Sequence, residues 1–179
     1  MNFTGKALHF IGEITNASVE DFIARLKRNE AESEGSDLTI IFSSSGGSVS
    51  AGLYLHDFLR LQSRRVTMVA SSSVSSAGLY PFLAGDIRAA LPGATFLLHS
   101  MTQTLDGTFT HSELREQLLI FESDRERCRK LVTGRTALKA ARWDKLTTEG
   151  AVLNVSEALK VKIIHGVASF NRHHPHTKK

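Results

Sequence analysis

The sequence predicts an α/β protein built on a mostly parallel sheet with flanking helices. Two observations carry that expectation. Apolar strands alternate with amphipathic helices through the first half of the chain, and such alternation requires right-handed crossovers between parallel strands. The stretch Leu38-Thr-Ile-Ile-Phe42 is apolar and β-branched along almost its whole length, as a parallel strand covered on both faces is.

The elements follow in order. Ala7 to Ile11 is a short apolar strand and residues 12–16 a turn. Ser18 is a candidate N-cap, and Val19, Phe22, Ile23 and Leu26 recur at helical spacing, so a helix is expected over 18–32. Residues 34–37 break it. After the strand at 38–42, residues 43–48 form a loop and 49–62 a second helix. A third strand, 65–70, runs into a serine-rich turn and a helix-like apolar run at 77–84. Extended pieces at 86–91 and 95–98 flank the turn Pro92-Gly93. A polar arm at 101–110 precedes a long charged helix at 112–132. Its apolar stripe, Leu114, Leu118, Phe121, Cys128 and Leu131, is interrupted by Arg125. A short helix at 138–146, an extended piece at 152–153, a helical turn at 156–161 and a last strand at 162–167 complete the chain. There is no internal repeat.

Composition narrows the class. Over 179 residues, 41% hydrophobic and 22% charged content fits one globular domain with a sizeable core, here residues 1–170. Part of the net charge of +4 lies in the basic, His-containing tail 171–179, which is expected to be disordered, so the basic balance is no signature of nucleic-acid binding. The single cysteine, Cys128, excludes an intrachain disulfide and fits a reducing compartment. No apolar run reaches the ~18 residues of a membrane span, and the first residues lack the apolar region of a secretory signal. The expectation is a cytoplasmic protein with neither a membrane nor a nucleic-acid partner.

Three features can carry chemistry. Ser75 and Ser76 sit where a strand turns into a helix. Such a turn exposes a serine, and the helix N-terminus offers unpaired N–H groups to developing negative charge. Small residues there also simply permit close packing and capping. The loop Ser45-Gly-Gly-Ser-Val49 can present backbone amides to a ligand, or it is a tight turn alone. Its spacing fits neither phosphate-binding glycine motif. His99 ends the apolar run Phe96-Leu97-Leu98, a position no other histidine in the middle of the chain shares. His173, His174 and His176 lie in the tail without cysteine or acidic partners, so no metal and no cofactor is expected.

Taken together, Gly46-Gly47-Ser48-Val49, Val74-Ser75-Ser76-Ala77-Gly78, Leu91-Pro92 and Leu97-Leu98-His99, in that order, resemble the proteolytic subunit of the Clp protease, a serine peptidase on the crotonase-like fold. The resemblance runs from about Ala7 to Val167 and includes Leu153-Asn-Val-Ser-Glu-Ala-Leu159. Ala84-Gly85 matches the end of the family's nucleophile helix and puts the nucleophile on Ser76 rather than Ser75. The resemblance implies a ClpP/crotonase-like fold with a protruding handle helix. It implies Ser76 as nucleophile, His99 as general base and acid, and the backbone amides of Gly47 and Ala77 as the oxyanion hole.

Two positions depart from the family pattern. Its aspartate, which orients the histidine, falls on Gly150, leaving Glu149, Asn154 or nothing as the third member. Ser45 stands where a proline commonly precedes the two glycines. The first strand begins within about ten residues of Met1, so the family's axial segment is expected to be short and an ATP-driven unfoldase partner is left open. The region from Gly107 to Val132 matches the handle that joins two rings, or is an ordinary surface helix. The implied function is a serine endopeptidase cleaving peptides or unfolded polypeptides within a homo-oligomeric ring chamber. A catalytically weak or inactive ring subunit or scaffold is the alternative. Acyl-CoA thioester chemistry on the same fold is a third reading, disfavoured because it needs no serine nucleophile paired with His99.

Overall fold

The computed structural model describes residues 7–32 and 37–169; the expected helix break at 34–36 and the basic tail at 171–179 lie outside the described residues. Strand β1 (Leu8–Ile14) leads into helix α1 (Asn16–Glu32), β2 (Leu38–Gly47) into α2 (Val49–Arg60), and β3 (Val66–Ser75) into one 3-10 turn (Ser76–Gly78) and α3 (Leu79–Leu83). Strands β4 (Ile87–Ala90) and β5 (Thr95–Leu98) follow. The long helix α4 (His111–Arg135), α5 (Ala140–Glu149), β6 (Ala151–Asn154), α6 (Val155–Lys160) and β7 (Gly166–Val167) complete the fold.

The sheet order is β1-β2-β3-β4-β7, with β5 paired to β3 and β6 to β5. All pairs are parallel except β5 with β6. Strand β3 is the spine. Its first half, Thr67 to Ala70, pairs with β4, and its last residues, Ser73 to Ser75, pair with β5. That change of partner brings the end of β5 beside the end of β3.

Several elements are longer than the sequence pattern suggests. Helix α1 starts at Asn16 because Thr15, not Ser18, caps it: the Ser18 N–H donates to Thr15 Oγ1 at 3.1 Å and the Thr15 N–H donates to Ser18 Oγ at 3.0 Å. The same device sets α4, where Thr110 and Glu113 form a reciprocal cap, and α6, where Asn154 and Glu157 do. Strands β2 and β3 run on through their serines, which the sequence reading assigns to a loop and a turn. The expected last strand at 162–167 is corrected to two residues. Lys162 takes φ +57°, and the carbonyls of Lys162 and Ile163 turn inward to Arg88 instead of joining a ladder.

The core holds a run of rings, Phe22–Phe10–Phe42–Phe82–Phe96, with successive centroids 5.4, 5.2, 6.2 and 5.6 Å apart. It ties α1, β1, β2, α3 and β5 into one apolar body. Arg88 is the buried exception. Its guanidinium donates to the carbonyls of Ile163 (2.8 Å), Gly85 (3.0 Å), Arg135 (2.8 Å) and Lys162 (3.1 Å), tying β4 to the end of α4 and to the chain before β7. Burial, then the charges of Arg135 and Arg60, lower its pKa to about 10. Replacing it with an apolar side chain orphans buried carbonyls at about 1–3 kcal/mol each. Arg88→Met is therefore expected to lower the unfolding free energy by about 3 kcal/mol or more, and Arg88→Lys, with three donors, to recover part of the loss. An unchanged urea midpoint for Arg88→Met would refute this role.

Candidate active site

The site begins with a backbone constraint. Ser76 has φ +52°, in the left-handed region that a non-glycine residue occupies only when its surroundings impose it. The strand therefore ends in a sharp elbow, with the half-buried Ser76 side chain at its tip and Ala77 and Gly78 buried behind it. Strand-to-helix elbows of this kind present nucleophilic serines. Ala77 lies in the first turn of the helical segment, where an N–H has no intrahelical acceptor. Ser75, the other serine considered, pairs with Leu97 in the ladder and is buried.

The glycine loop is the end of β2 and is pressed against that elbow. A Cβ on Gly46 would lie 2.6 Å from Ser76 Cβ and 2.9 Å from the Ser75 carbonyl oxygen. Gly46 and Gly47 have φ +99° and +133°, so both positions require glycine on conformational grounds as well. Gly47 pairs with Ile14 in the parallel ladder, and the Ile14 carbonyl is taken by the Ser48 N–H at 2.8 Å. In a parallel ladder the strand partner bonds the neighbours of a bridged residue, so the N–H of Gly47 points away from β1. The Ser48 hydroxyl then caps α2 by accepting from the Ala51 N–H. Buried Ser44 braces the bend through its hydroxyl, which accepts from the Gly46 N–H at 3.1 Å. The sequence reading gave Ser44 no role. The signal was present in the alternation Phe42, Ser44, Gly46 along the buried face.

His99 follows the last residue of β5, next to the elbow in the sheet, and is exposed. Its Nδ1 bonds the carbonyl of Ser100 at 2.8 Å. A carbonyl only accepts, so Nδ1 carries a proton, and in the neutral form of the ring the lone pair lies on Nε2. Ser100 is held in turn: its hydroxyl donates to the Thr147 carbonyl on α5 at 3.0 Å. Among the described residues no hydrogen bond joins Ser76 Oγ to His99. The candidate third members are engaged elsewhere. The Glu149 carboxylate lies 3.7 Å from Lys145 Nζ, and Asn154 Oδ1 accepts from the Glu157 N–H. Gly150 has φ +72°, a conformation that disfavours an aspartate there although nothing lies within 4 Å of the Cβ position.

A cavity of about 230 Å³ opens beside His99 between the arm at 99–101, α4 and α5. Tyr80 and Cys128 are at its floor, with Phe121, Trp143 and Met101 among its walls. The Tyr80 hydroxyl and the Cys128 thiol are the ionisable groups of that floor. Burial raises both pKa values, that of Cys128 to about 11, so the floor is uncharged at neutral pH. Arg125 and Asp144 are the charged residues of the wall. Among the described residues no cluster of histidine, cysteine and carboxylate side chains could hold a metal ion, and no helix is long and apolar enough to cross a membrane.

A strained serine elbow, a glycine strand pressed against it and a histidine on the adjoining strand, all on a mostly parallel sheet, define a protein of the Clp protease class. The family model described as Clp protease matches residues 3–171, and the chain belongs to that family. Among solved structures it is similar to a ClpP1 mutant from Listeria monocytogenes, with 27% identity over 93% of this chain and 92% of that one and a TM-score of 0.81.

The packing makes a stability prediction that separates the two kinds of glycine. Gly46→Ala is expected to cost about 1–3 kcal/mol from the left-handed backbone alone, with the clash against Ser76 in addition, and to displace Ser76. Gly93→Ala, with open space around the Cβ position, is expected to fall within about 0.5 kcal/mol of the parent. Equal melting temperatures for the two variants would contradict the close approach.

Proposed function

We propose that the protein is a serine endopeptidase acting on peptides or unfolded polypeptides. The observation that carries this reading is the Ser76 elbow, strained to φ +52° with Gly46 packed against it. Ser76 Oγ attacks the scissile carbonyl as His99 Nε2 takes its proton. The oxyanion then lies against the N–H groups of Gly47 and Ala77, and His99 returns the proton to the leaving amine. The Ser100 carbonyl supports this by fixing the tautomer that leaves Nε2 free. It does not supply the negative charge with which an aspartate stabilises the imidazolium, so turnover is expected to be slower than that of a full triad.

One observation favours the alternative of a weakly active or scaffold subunit: among the described residues no carboxylate bonds the Nδ1 of His99. Labelling decides between the two. A fluorophosphonate is expected to attach to Ser76 in the assembled protein, with Ser76→Ala removing both the label and peptide hydrolysis. Assembled protein that takes no label on Ser76 would leave the scaffold reading standing.

The working form in this proposal is a homo-oligomeric ring, with an unfoldase partner left open. The support is apolar surface. Leu114, Leu118, Leu119 and Ile120 stand exposed on α4, and Tyr54 and Leu61 on and just beyond α2. Isolated exposed apolar residues are ordinary, but a contiguous set along one helix marks a contact surface. Sedimentation at micromolar concentration is expected to show a species several times the 19.7 kDa of one chain. A monomer alone would remove the ring from the proposal.

A further inference from the structure

Resting on the peptidase reading, we infer that the cavity beside His99 takes an acidic side chain, glutamate above all, from the substrate residue whose carbonyl Ser76 attacks, and that Arg125 selects it. The cavity borders His99, which flanks the scissile bond on the proposed reading, and the inference assigns it to the side chain on the acyl side of that bond. Its volume of about 230 Å³ admits a side chain of medium length. The faces of Tyr80, Phe121 and Trp143 suit the two methylenes of a glutamate stem.

Charge chooses the tip. Of the two charged wall residues, Asp144 is already engaged by Arg129 Nη1 at 3.6 Å, and the same guanidinium holds Glu126 at 2.6 Å. Arg125 makes no ion pair and no hydrogen bond among the described residues, although it stands on the face of α4 whose apolar stripe it interrupts. A guanidinium in a partly apolar wall with its donors unused is matched by a carboxylate, which it can hold through two parallel bonds. A lysine in the same place sets like charges together. A leucine fits the walls and leaves Arg125 to water.

The test is hydrolysis by the full-length protein of three fluorogenic peptides that differ only in the residue before the fluorophore: glutamate, leucine or lysine. The ratio of kcat/KM for glutamate over lysine is expected to be about two- to fivefold, the range of one exposed charge pair, and to shrink as salt is raised. In Arg125→Gln the ratio falls toward one, and in Arg125→Glu it inverts. Each ratio is internal to one preparation, so incomplete folding of a variant cancels. Hydrolysis of the leucine peptide with no preference for glutamate, or a preference that Arg125→Glu leaves untouched, overturns the inference and leaves the peptidase reading intact. Hydrolysis of none of the three, with no fluorophosphonate label on Ser76, overturns both.

Discussion

The arrangement of the site depends on one close approach, that of Gly46 to Ser76. The Cβ position on Gly46 falls 2.6 Å from Ser76 Cβ, so β2 reaches the elbow only because this residue has no side chain. The approach has consequences in both directions along the chain. It lets β2 stay paired with β1, past a register shift after Ile11, as far as Gly47, whose N–H is turned away from β1. It also sets Ser76 against the end of β2, where the residue holds φ +52°. Gly78 continues the same contact on the next residue pair, its Cβ position 2.9 Å from Ser44 Cβ. Small residues on two adjoining strand ends thus form one steric unit.

The histidine is governed by a different constraint. On the proposed reading a third group has two tasks, to hold the imidazole tautomer and to stabilise the imidazolium. The Ser100 carbonyl can do the first and only weakly the second. Loss of the tautomer is the costlier failure: an intact triad deprived of its acid by an amide loses about 10⁴ in turnover. The backbone at Gly150, the residue that the resemblance sets at the family's aspartate, disfavours an acid there. With φ +72° that residue joins the C-terminus of α5 to β6, and a side chain there would strain the turn. The anchor for His99 therefore comes from its own strand exit, steadied by the Ser100 hydroxyl on the Thr147 carbonyl.

Much of the fold was legible in the sequence because periodicity reports burial. The β-branched run at Leu38 to Phe42 and the helical spacing of Val19, Phe22, Ile23 and Leu26 gave β2 and α1 their types. The matching order of glycine loop, serine turn and histidine pointed to the same three strand ends that the structure brings together. What failed was local. Serines read as loop residues are strand residues here, since Ser44, Ser73 and Ser75 are paired across the ladder and gain from the sheet what they lack in propensity. The strand expected at 162–167 was lost to Arg88, whose demand for carbonyls outweighs the apolar pattern of Ile163 and Ile164. The role of Ser100 could not be read at all, because it acts through its backbone carbonyl, which every residue has.

Two arginines show how the same side chain serves opposite purposes in one molecule. The Arg88 guanidinium makes four hydrogen bonds, all to main-chain carbonyls, and is enclosed. Carbonyls satisfy its donors without neutralising its charge, which is why burial and the nearby Arg135 and Arg60 draw its pKa down. Such a group fixes chain segments and is closed to any ligand. Arg125 has the reverse arrangement: it is exposed, it lies in a wall of aromatic faces, and no donor of its guanidinium is used among the described residues. Being exposed, it is solvated by water in the free protein. On the proposed reading, its energetic consequence arises only when a substrate displaces that water. The sign of that consequence then depends on whether the incoming side chain is acidic or basic, which makes the residue a discriminator rather than a support.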